Sequence, residues 1–318
     1  MVNGKIIGAG SFLPNKIMTN FDLEEIVETS DEWIFERSGI RERRMATKDE
    51  LTSDLALNAS LSAINNAGIN KDDIDLIIVA TTTPDRTFPA TATILQNKLE
   101  IATGFAFDIQ AVCSGFVYAL NVADNFIKTG QIKTALVVGA ETLTKIVDWS
   151  DRTTCVLFGD GAGAVILQST DEDRGILSCQ LHSDGKYGNI LNTTGGVSMN
   201  QRTGHIYMEG KEVFKLAINK MSDCIINNLK KCNLTIDDID LFIPHQANIR
   251  IIDGVGDKLK LPKEKVITTL EKIGNTSAAS IPIAIEYALK NNKIKDGNIV
   301  VLDALGGGLT WGSIIIKW

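Results

Sequence analysis

The chain has 318 residues, of which 44% are hydrophobic and 22% are charged, a composition typical of a globular protein with a large core. Its formal net charge is −7, and no block of Lys and Arg could follow a phosphate backbone, so we expect no nucleic-acid partner. The longest uncharged stretches, such as 109–123, contain Gln, Ser and Asn and fall short of a membrane span, so we expect no membrane partner.

The N-terminus and the cysteines indicate the cellular compartment. Lys5 is followed by a short apolar run and soon by Pro14, which is not the layout of a secretory signal peptide. The five cysteines are an odd number and include no C-x-x-C pair, a pattern typical of reduced thiols. We therefore expect a cytoplasmic protein.

Helical and strand-like patterns alternate along the chain, and glycines end the first two helices at 68 and 130. The stretch 183–210 is glycine-rich and polar and is predicted to be a loop. Near-continuous apolar strands between helices predict an α/β fold with buried parallel sheets. The predicted helices are 51–67, 114–128, 213–230 and 281–290, and the predicted strands are 76–83, 135–139, 163–167, 241–243, 299–302 and 313–318.

Cys113 is the candidate nucleophile. It lies where a strand-like segment, 104–112, ends and a helix-like segment begins. The N–H groups and the dipole of a helix N-terminus favour negative charge, so this position is expected to lower the pKa of a thiol. The other cysteines lack this context and are predicted to be core residues: Cys155, Cys179, Cys224 and Cys232.

An imidazole and an amide complete a possible site. His245 follows a buried strand and Pro244, at the carboxyl end of a strand, where open α/β sheets place ligands. Asn275 lies in a Gly-Asn-Thr-Ser string, which is also an ordinary turn and helix-capping pattern. Cys, His and Asn at strand ends and turns are together sufficient for covalent acyl chemistry.

The chain also repeats itself. Residues 70–78 match residues 235–243 at a spacing of 165 residues, taken from Asp73 to Asp238. Two copies indicate a duplication rather than a solenoid. The halves are predicted to be 1–170, which carries the nucleophile, and 171–318, which carries His245 and Asn275.

The spacing of the repeat has a functional consequence. It aligns Cys113 with Ala278, three residues after Asn275. The two halves are therefore expected to bring equivalent strand-to-helix turns to one pocket at the seam between them.

Three glycine-rich strings are candidate ligand-binding loops. In 8–10 the nucleotide-binding fingerprint fails, because Leu13 replaces its third glycine and Pro14 follows. In 159–163 the string precedes a strand, so we interpret it as close backbone packing. The string 306–308 follows a strand, and its bare backbone can offer N–H groups to a ligand.

These motifs, in order and nearly end to end, resemble those of β-ketoacyl-acyl-carrier-protein synthase III. The resemblance implies a thiolase-like fold, with two duplicated halves in a five-layer α-β-α-β-α arrangement, and a homodimer. It implies an acyltransferase that condenses a short acyl group from acyl-CoA, often acetyl, with malonyl-carrier protein to start type II fatty-acid synthesis. It implies no cofactor and no metal, with acyl-CoA as a substrate. The strings are 31–34 with 39–43, Cys113, 244–248, 274–277 and 306–313.

The resemblance also implies roles for individual residues. Cys113 would hold the acyl group, His245 and Asn275 would assist decarboxylation, and the N–H groups of Cys113 and Gly307 would form the oxyanion hole. The implied binding residues are Trp33, Arg37, Arg152 and Asn248 for CoA, Phe88 (inserted from the other subunit) and Leu305 for the acyl pocket, and Lys215, Arg250 and Lys258 for the carrier protein.

The chain departs from the family at three positions. Leu305 stands where the family commonly has Phe, and Val112 and Ser114 flank the cysteine where alanines are common. These departures concern the acyl-chain preference more than the type of reaction.

Three other functions compete with this interpretation. A condensing enzyme of secondary metabolism would use the same triad with another donor or acceptor. A catalytically inactive scaffold would keep the fold but fail to acylate. A papain-like cysteine hydrolase would place its His downstream of the Cys, but the local Cys motif of that class is missing.

Overall fold

The computed structural model describes residues 2–318. The α-helices are α1 Asn20–Glu24, α2 Asp31–Ser38, α3 Thr52–Ala67, α4 Thr91–Lys98, α5 Gly115–Lys128, α6 Val197–Asn200, α7 Gly210–Lys231, α8 Ile249–Leu259, α9 Leu270–Ile273 and α10 Ser280–Lys290. The strands are β1 Asn3–Phe12, β2 Lys16–Thr19, β3 Glu42–Met45, β4 Leu76–Ala80, β5 Phe105–Ile109, β6 Thr134–Thr142, β7 Asp160–Thr170, β8 Gly175–Ser183, β9 Leu191–Thr193, β10 Ile206–Met208, β11 Leu241–Pro244, β12 Ile299–Gly306 and β13 Thr310–Lys317.

Two large sheets form the framework. The first has the strand order β1-β7-β6-β4-β5 and the second has the order β11-β12-β13-β8. Both sheets are mixed: β4 is parallel to β5 and β6, and β11 is parallel to β12, whereas β7 and β13 run antiparallel to their neighbours. The predicted parallel strands are present as β5-β4-β6 and β11-β12, but each sheet also contains antiparallel strands, because β7 and β13 each follow the preceding strand without a crossover helix.

The helices cover both faces of each sheet. Alternate residues of a strand face opposite sides, so Ile77 of β4 joins the cluster formed with α3 and α4, whereas Ile78 joins the cluster formed with α5 and α10. In β12, Leu302 joins that same central cluster and Val301 packs with α7 and α8. The layers are thus α3/α4, first sheet, α5/α10, second sheet, and α7/α8, which is the predicted five-layer arrangement.

The duplication is visible in the elements themselves. A 3₁₀ turn, Val112–Ser114, precedes α5, and a 3₁₀ turn, Ser277–Ala279, precedes α10. These turns are offset by the 165 residues of the sequence repeat, so the predicted equivalence of the two turns is confirmed. The division of the chain at residue 170 stays a prediction; it falls between β7, the last strand of the first sheet, and β8 of the second.

Most element boundaries deviate from the sequence prediction by a few residues. The first predicted strand ends at Ala80 rather than Thr83, and the helix after the cysteine starts at Gly115 rather than Ser114. The predicted loop 183–210 contains the short β9–β10 hairpin as well as α6. Turn residues such as Thr81 to Thr83 have β-branched side chains, so propensity alone could not separate them from the strand.

Close backbone packing explains the glycine string at the start of β7. A Cβ added at Gly163 would lie 2.6 Å from the backbone nitrogen of Ile283 in α10. The central helix therefore rests directly on the strand, as the sequence predicted for 159–163.

We predict that Gly163→Ala lowers the free energy of unfolding by about 1–3 kcal/mol, because overpacking moves a helix away from its sheet. The measurement is the midpoint of thermal unfolding. Gly185→Ala is the matched control, because a Cβ at Gly185 would meet nothing within 4 Å. Equal midpoints for the two variants would show that α10 can move without cost.

Candidate active site

The turn that carries Cys113 joins β5 to α5. Val112 has a positive φ of 50°, an uncommon conformation for a β-branched residue, and it places Cys113 at the start of the helical segment. Cys113 is 6% exposed. A glycine of β12 lies against this turn, because a Cβ added at Gly306 would be 2.7 Å from the backbone nitrogen of Cys113. The thiol is therefore held between a strand end of the second half and a helix start of the first.

The equivalent turn of the second half positions Asn275. The backbone N–H of Asn275 donates to Leu157 O at 2.9 Å, and its carbonyl accepts from Gly159 N at 3.0 Å. Its side-chain oxygen Oδ1 accepts from Ser277 N at 2.9 Å. Because the amide oxygen is occupied in this way, the Nδ2 group remains as the hydrogen-bond donor of Asn275.

His245 follows β11 directly, as predicted. Its backbone N–H donates to Asp303 O at 2.8 Å, and its Nδ1 lies 2.7 Å from Ser280 Oγ. Ser280 Oγ accepts from Gln246 N at 3.3 Å, and among residues 2–318 the acceptor within hydrogen-bond distance of its own proton is His245 Nδ1. This arrangement assigns the ring hydrogen to Nε2, which makes His245 a donor at that atom.

Burial keeps both groups neutral. Burial raises the pKa of the Cys113 thiol to about 12, and the charge of Glu141 adds to this shift. Burial likewise lowers the pKa of His245 to about 3. The expectation that the helix start lowers the pKa of Cys113 is therefore wrong in direction, because desolvation of a thiolate outweighs a helix terminus.

The predicted catalytic residues line one cavity of about 860 Å³. Residues from both halves line it, so the pocket lies at the seam as the repeat predicted. The sequence-predicted residues that line it are Cys113, His245, Asn248, Asn275, Leu305 and Gly307.

A second cavity of about 340 Å³ forms a mouth beside the first. Trp33, Arg37 and Arg152 line it together, and the guanidinium carbons of Arg37 and Arg152 lie 4.7 and 5.0 Å from the centre of the Trp33 ring. Met208 and Gly210 line both cavities, so the mouth adjoins the pocket that holds Cys113. A flat aromatic ring with two cations beside it is suited to a ligand that has both a planar ring and phosphates.

Comparisons of the sequence with known proteins identify the family of this chain. Family descriptions of 3-oxoacyl-[acyl-carrier-protein] synthase III and of its C-terminal part match residues 107–185 and 229–318. The β-ketoacyl-[acyl-carrier-protein] synthase III of Paramagnetospirillum magneticum is 55% identical over 322 residues, covering 100% of this chain and 99% of that protein.

Solved structures give the same result. The 3-oxoacyl-[acyl-carrier-protein] synthase III of Aquifex aeolicus has a TM-score of 0.95 at 47% identity, covering 99% of this chain and 100% of that one. A priming β-ketosynthase of a polyketide biosynthetic pathway has a TM-score of 0.93 at 31% identity, covering 98% and 96% of the two chains.

The chain belongs to the β-ketoacyl-acyl-carrier-protein synthase III family. The predicted family, the thiolase-like fold and the acyltransferase class are therefore confirmed. Among residues 2–318, no helix is long and apolar enough to cross a membrane.

Three residues are carrier-protein contacts according to the resemblance to the synthase III family. They lie on two neighbouring helices, α7 and α8. Lys215 is exposed on α7, and the guanidinium of Arg250 on α8 lies 5.3 Å from the centre of the Phe214 ring. Lys258 pairs with Asp223 at 3.2 Å. Arg250 also lines the mouth, which joins this basic surface to the cavity that contains Trp33.

The two residues with an implied role in the acyl pocket differ in burial. Leu305 is 5% exposed and lines the main cavity, as do Ala217 and Met221 of α7. Phe88 is 81% exposed, although the preceding residues 84–87 line the cavity. In the single chain, Phe88 therefore lies outside the pocket that the resemblance implied for it.

Sequence reasoning missed two polar residues of this site. Ser280 fixes the tautomer of His245, and its only signal was a serine at the helix start aligned with Gly115. Glu141 is fully buried and accepts hydrogen bonds from the Thr82 and Thr83 hydroxyls at 3.0 and 2.7 Å. A lone carboxylate at the end of the apolar run 135–142 was the available signal.

We predict that acetyl-CoA acylates this synthase III family member at one residue, because only Cys113 lies at the shared seam of the two halves. Intact mass should rise by one acetyl group in the wild type and stay unchanged in Cys113→Ser. Cys179→Ser, which changes a half-buried thiol of β8, is the control and should acylate normally. Labelling that persists in Cys113→Ser would refute the assignment.

Proposed function

We propose that this chain condenses a short acyl group from acyl-CoA, acetyl in the first instance, with malonyl-acyl carrier protein, and that this reaction starts type II fatty-acid synthesis. One observation carries the proposal: Cys113, His245 and Asn275 line one cavity, which adjoins a mouth of aromatic and cationic side chains. The mouth suits the nucleotide of CoA, and the cavity suits the thioester at the other end of that substrate.

The first step is acyl transfer to Cys113. The sulfur attacks the thioester carbonyl, a new carbon–sulfur bond forms, and the bond to the sulfur of CoA breaks. The thiol proton leaves with CoA, so the reaction adds no net charge to the cavity. The N–H groups of Cys113 and Gly307 would stabilise the oxyanion. Thr310 Oγ1, at 3.0 Å from Ala111 O and 3.2 Å from Gly307 O, ties the two loops together.

The second step is decarboxylation of the malonyl thioester. The bond from the α-carbon to the carboxylate breaks, CO₂ leaves, and the electron pair forms an enolate whose oxygen carries the charge. His245 Nε2–H and the Asn275 amide N–H would donate to that oxygen. The enolate carbon then attacks the acyl group on Cys113, its bond to the Cys113 sulfur breaks, and a β-ketoacyl product forms. The released thiolate takes up one proton from water, which restores the neutral thiol and completes the cycle.

CoA and the carrier protein would approach from the same side. We assign Trp33 and Arg152 to the adenine, Arg37 to the CoA phosphates and Asn248 to the pantetheine arm. Lys215, Arg250 and Lys258 would attract an acidic carrier protein, because complementary charge speeds and orients association even when the net charge of the enzyme is negative.

We further propose a homodimer in which Phe88 closes the acyl pocket of the partner subunit. Phe88 is 81% exposed, so its burial in a dimer would favour association, by roughly 1.5–3 kcal/mol for full burial. Its neighbours at 84–87 already line the cavity, which supports a role for this loop in the acyl pocket of a dimer. We also propose a cytoplasmic location, because all five cysteines are free thiols.

A specialised condensing enzyme is the second candidate. The likeness to a priming β-ketosynthase of a polyketide pathway favours it, since that structure has a TM-score of 0.93. The two candidates share the triad and differ in donor and acceptor, so a panel of acyl-CoAs and malonyl carriers separates them.

We predict that Asn275→Ala accepts the acetyl group but decarboxylates malonyl-carrier protein about 10²–10³-fold more slowly, the typical cost of removing one oxyanion donor. Asn275→Asp should lose a similar factor, because it keeps the acceptor for Ser277 N but has no donor. Release of CO₂ per acylated enzyme is the measurement. Asn192→Ala, which removes another amide of the cavity wall, is the control. Near-normal condensation in Asn275→Asp would contradict the donor role.

We predict a graded primer preference that extends beyond acetyl, because Leu305 is shorter than the Phe common in the family. One methylene in an apolar pocket changes binding by about 1–3 kcal/mol. The measurement is kcat/KM for acetyl-, propionyl-, butyryl- and isobutyryl-CoA in the wild type and in Leu305→Phe, which should shift the preference toward acetyl. Coinciding profiles would show that position 305 does not select the primer.

A further inference from the structure

Arg43 of β3 is a fully buried arginine that has no carboxylate partner. Its Nη1 donates to Met18 O at 3.2 Å and to Asn20 Oδ1 at 2.9 Å, and its Nη2 donates to Val156 O at 2.8 Å. Within residues 2–318, no carboxylate oxygen lies within 4.0 Å of the guanidinium nitrogens, and Nε has no hydrogen-bond partner. Burying a charge without a paired carboxylate is costly; here the direct partners of the guanidinium are three neutral oxygens, and Asp22 and Glu42 act on it only through space.

One side of Arg43 holds the backbone on which Asn275 rests. Val156, whose carbonyl accepts from Nη2, leads into Leu157–Gly159, and this segment bonds to the backbone of Asn275 on both sides. The stem of Arg43 touches the same place, because a Cβ added at Gly159 or Gly274 would lie 3.1 or 3.2 Å from Arg43 Cβ. A displacement of Arg43 is therefore passed to Gly274 and to the segment 157–159, which holds the backbone of Asn275.

On its other side, Arg43 is connected through Asn20 to the helix that lines the mouth. Asn20, which accepts from Nη1, donates through Nδ2 to Asp31 Oδ1 at 2.9 Å and to Ile40 O at 2.7 Å. Asp31 is the first residue of α2, the helix that carries Trp33 and Arg37. One guanidinium thus joins the helix of the CoA mouth to the segment that supports Asn275.

We propose that Arg43 is a positioning residue that fixes Asn275 relative to the CoA mouth. The proposal deepens the function proposed above and rests on it. Arginine suits the task because its planar fork presents several donors in a fixed geometry, so three oxygens from two distant segments, 18–20 and Val156, are held at once. Decarboxylation depends on this placement, since a displacement of about 1 Å in a reacting geometry can cost roughly 10²-fold in rate.

The test separates the two half-reactions in Arg43→Met, which keeps the apolar stem but removes every donor. We expect acetylation of Cys113 to reach completion, with a several-fold higher KM for acetyl-CoA. We expect CO₂ release from malonyl-carrier protein to fall about 10²-fold per acetylated enzyme. Counting only acetylated molecules removes any misfolded fraction from the comparison.

Two further variants keep the test decisive. Arg43→Lys retains the charge but not the fork, so it should restore decarboxylation only in part, and it carries the test if Arg43→Met fails to fold. Arg44→Met is the matched control on the same strand; its Nη1 reaches only Pro14 O at 3.4 Å, and it should decarboxylate at the wild-type rate.

A double mutant distinguishes positioning from general stability. If Arg43 acts through Asn275, then Arg43→Met should change decarboxylation less than about threefold in an Asn275→Ala background, because residues that act as a unit are not additive. A full additional 10²-fold loss in that background, or a wild-type rate in Arg43→Met alone, would overturn the proposal. A wild-type enzyme that neither acetylates nor condenses would instead overturn the proposed function, and with it this role of Arg43.

Discussion

Backbone contact between the two halves is the constraint on which the rest of this structure depends. The end of β6 in the first half packs on the turn of the second, since a Cβ at Gly139 would lie 2.2 Å from Ala278 O. The end of β12 packs on the turn of Cys113 in the same reciprocal way through Gly306. Because both contacts are made by backbone atoms at glycines, the two turns cannot be separated without opening the central layer of α5 and α10.

The same packing determines the electrostatics of the site. Residues placed at such a seam are removed from water, so a neutral thiol and a neutral imidazole are the stable forms. The chemistry of the proposed reaction suits that condition, because the negative charge that develops on the thioester oxygen is met there by fixed donors. Ser280 takes part in this preparation by directing the hydrogen of His245 to Nε2 before any substrate arrives.

Buried polar side chains outside the triad complete the support. Glu141 accepts hydrogen bonds from the hydroxyls of the loop after β4, and Arg43 donates to oxygens of two distant segments, 18–20 and Val156. Each is expensive to bury and each is satisfied mainly by backbone or hydroxyl groups rather than by an opposite charge. Such networks hold loops in one arrangement, which reactions sensitive to small displacements require.

The sequence alone determined the features that depend on local pattern or on internal repetition. The spacing of 165 residues identified the two halves and paired the turn of Cys113 with that of Asn275, and the glycine string at 159–163 indicated close packing. Tertiary structure decided whatever depends on residues distant in the chain. The pKa of Cys113 follows from desolvation rather than from its helix, β7 and β13 turn the sheets from parallel to mixed, and Arg43 matters only because Val156 and Gly274 lie against it. A pattern within one segment carries no information on which distant segment removes its water or accepts its hydrogen bonds.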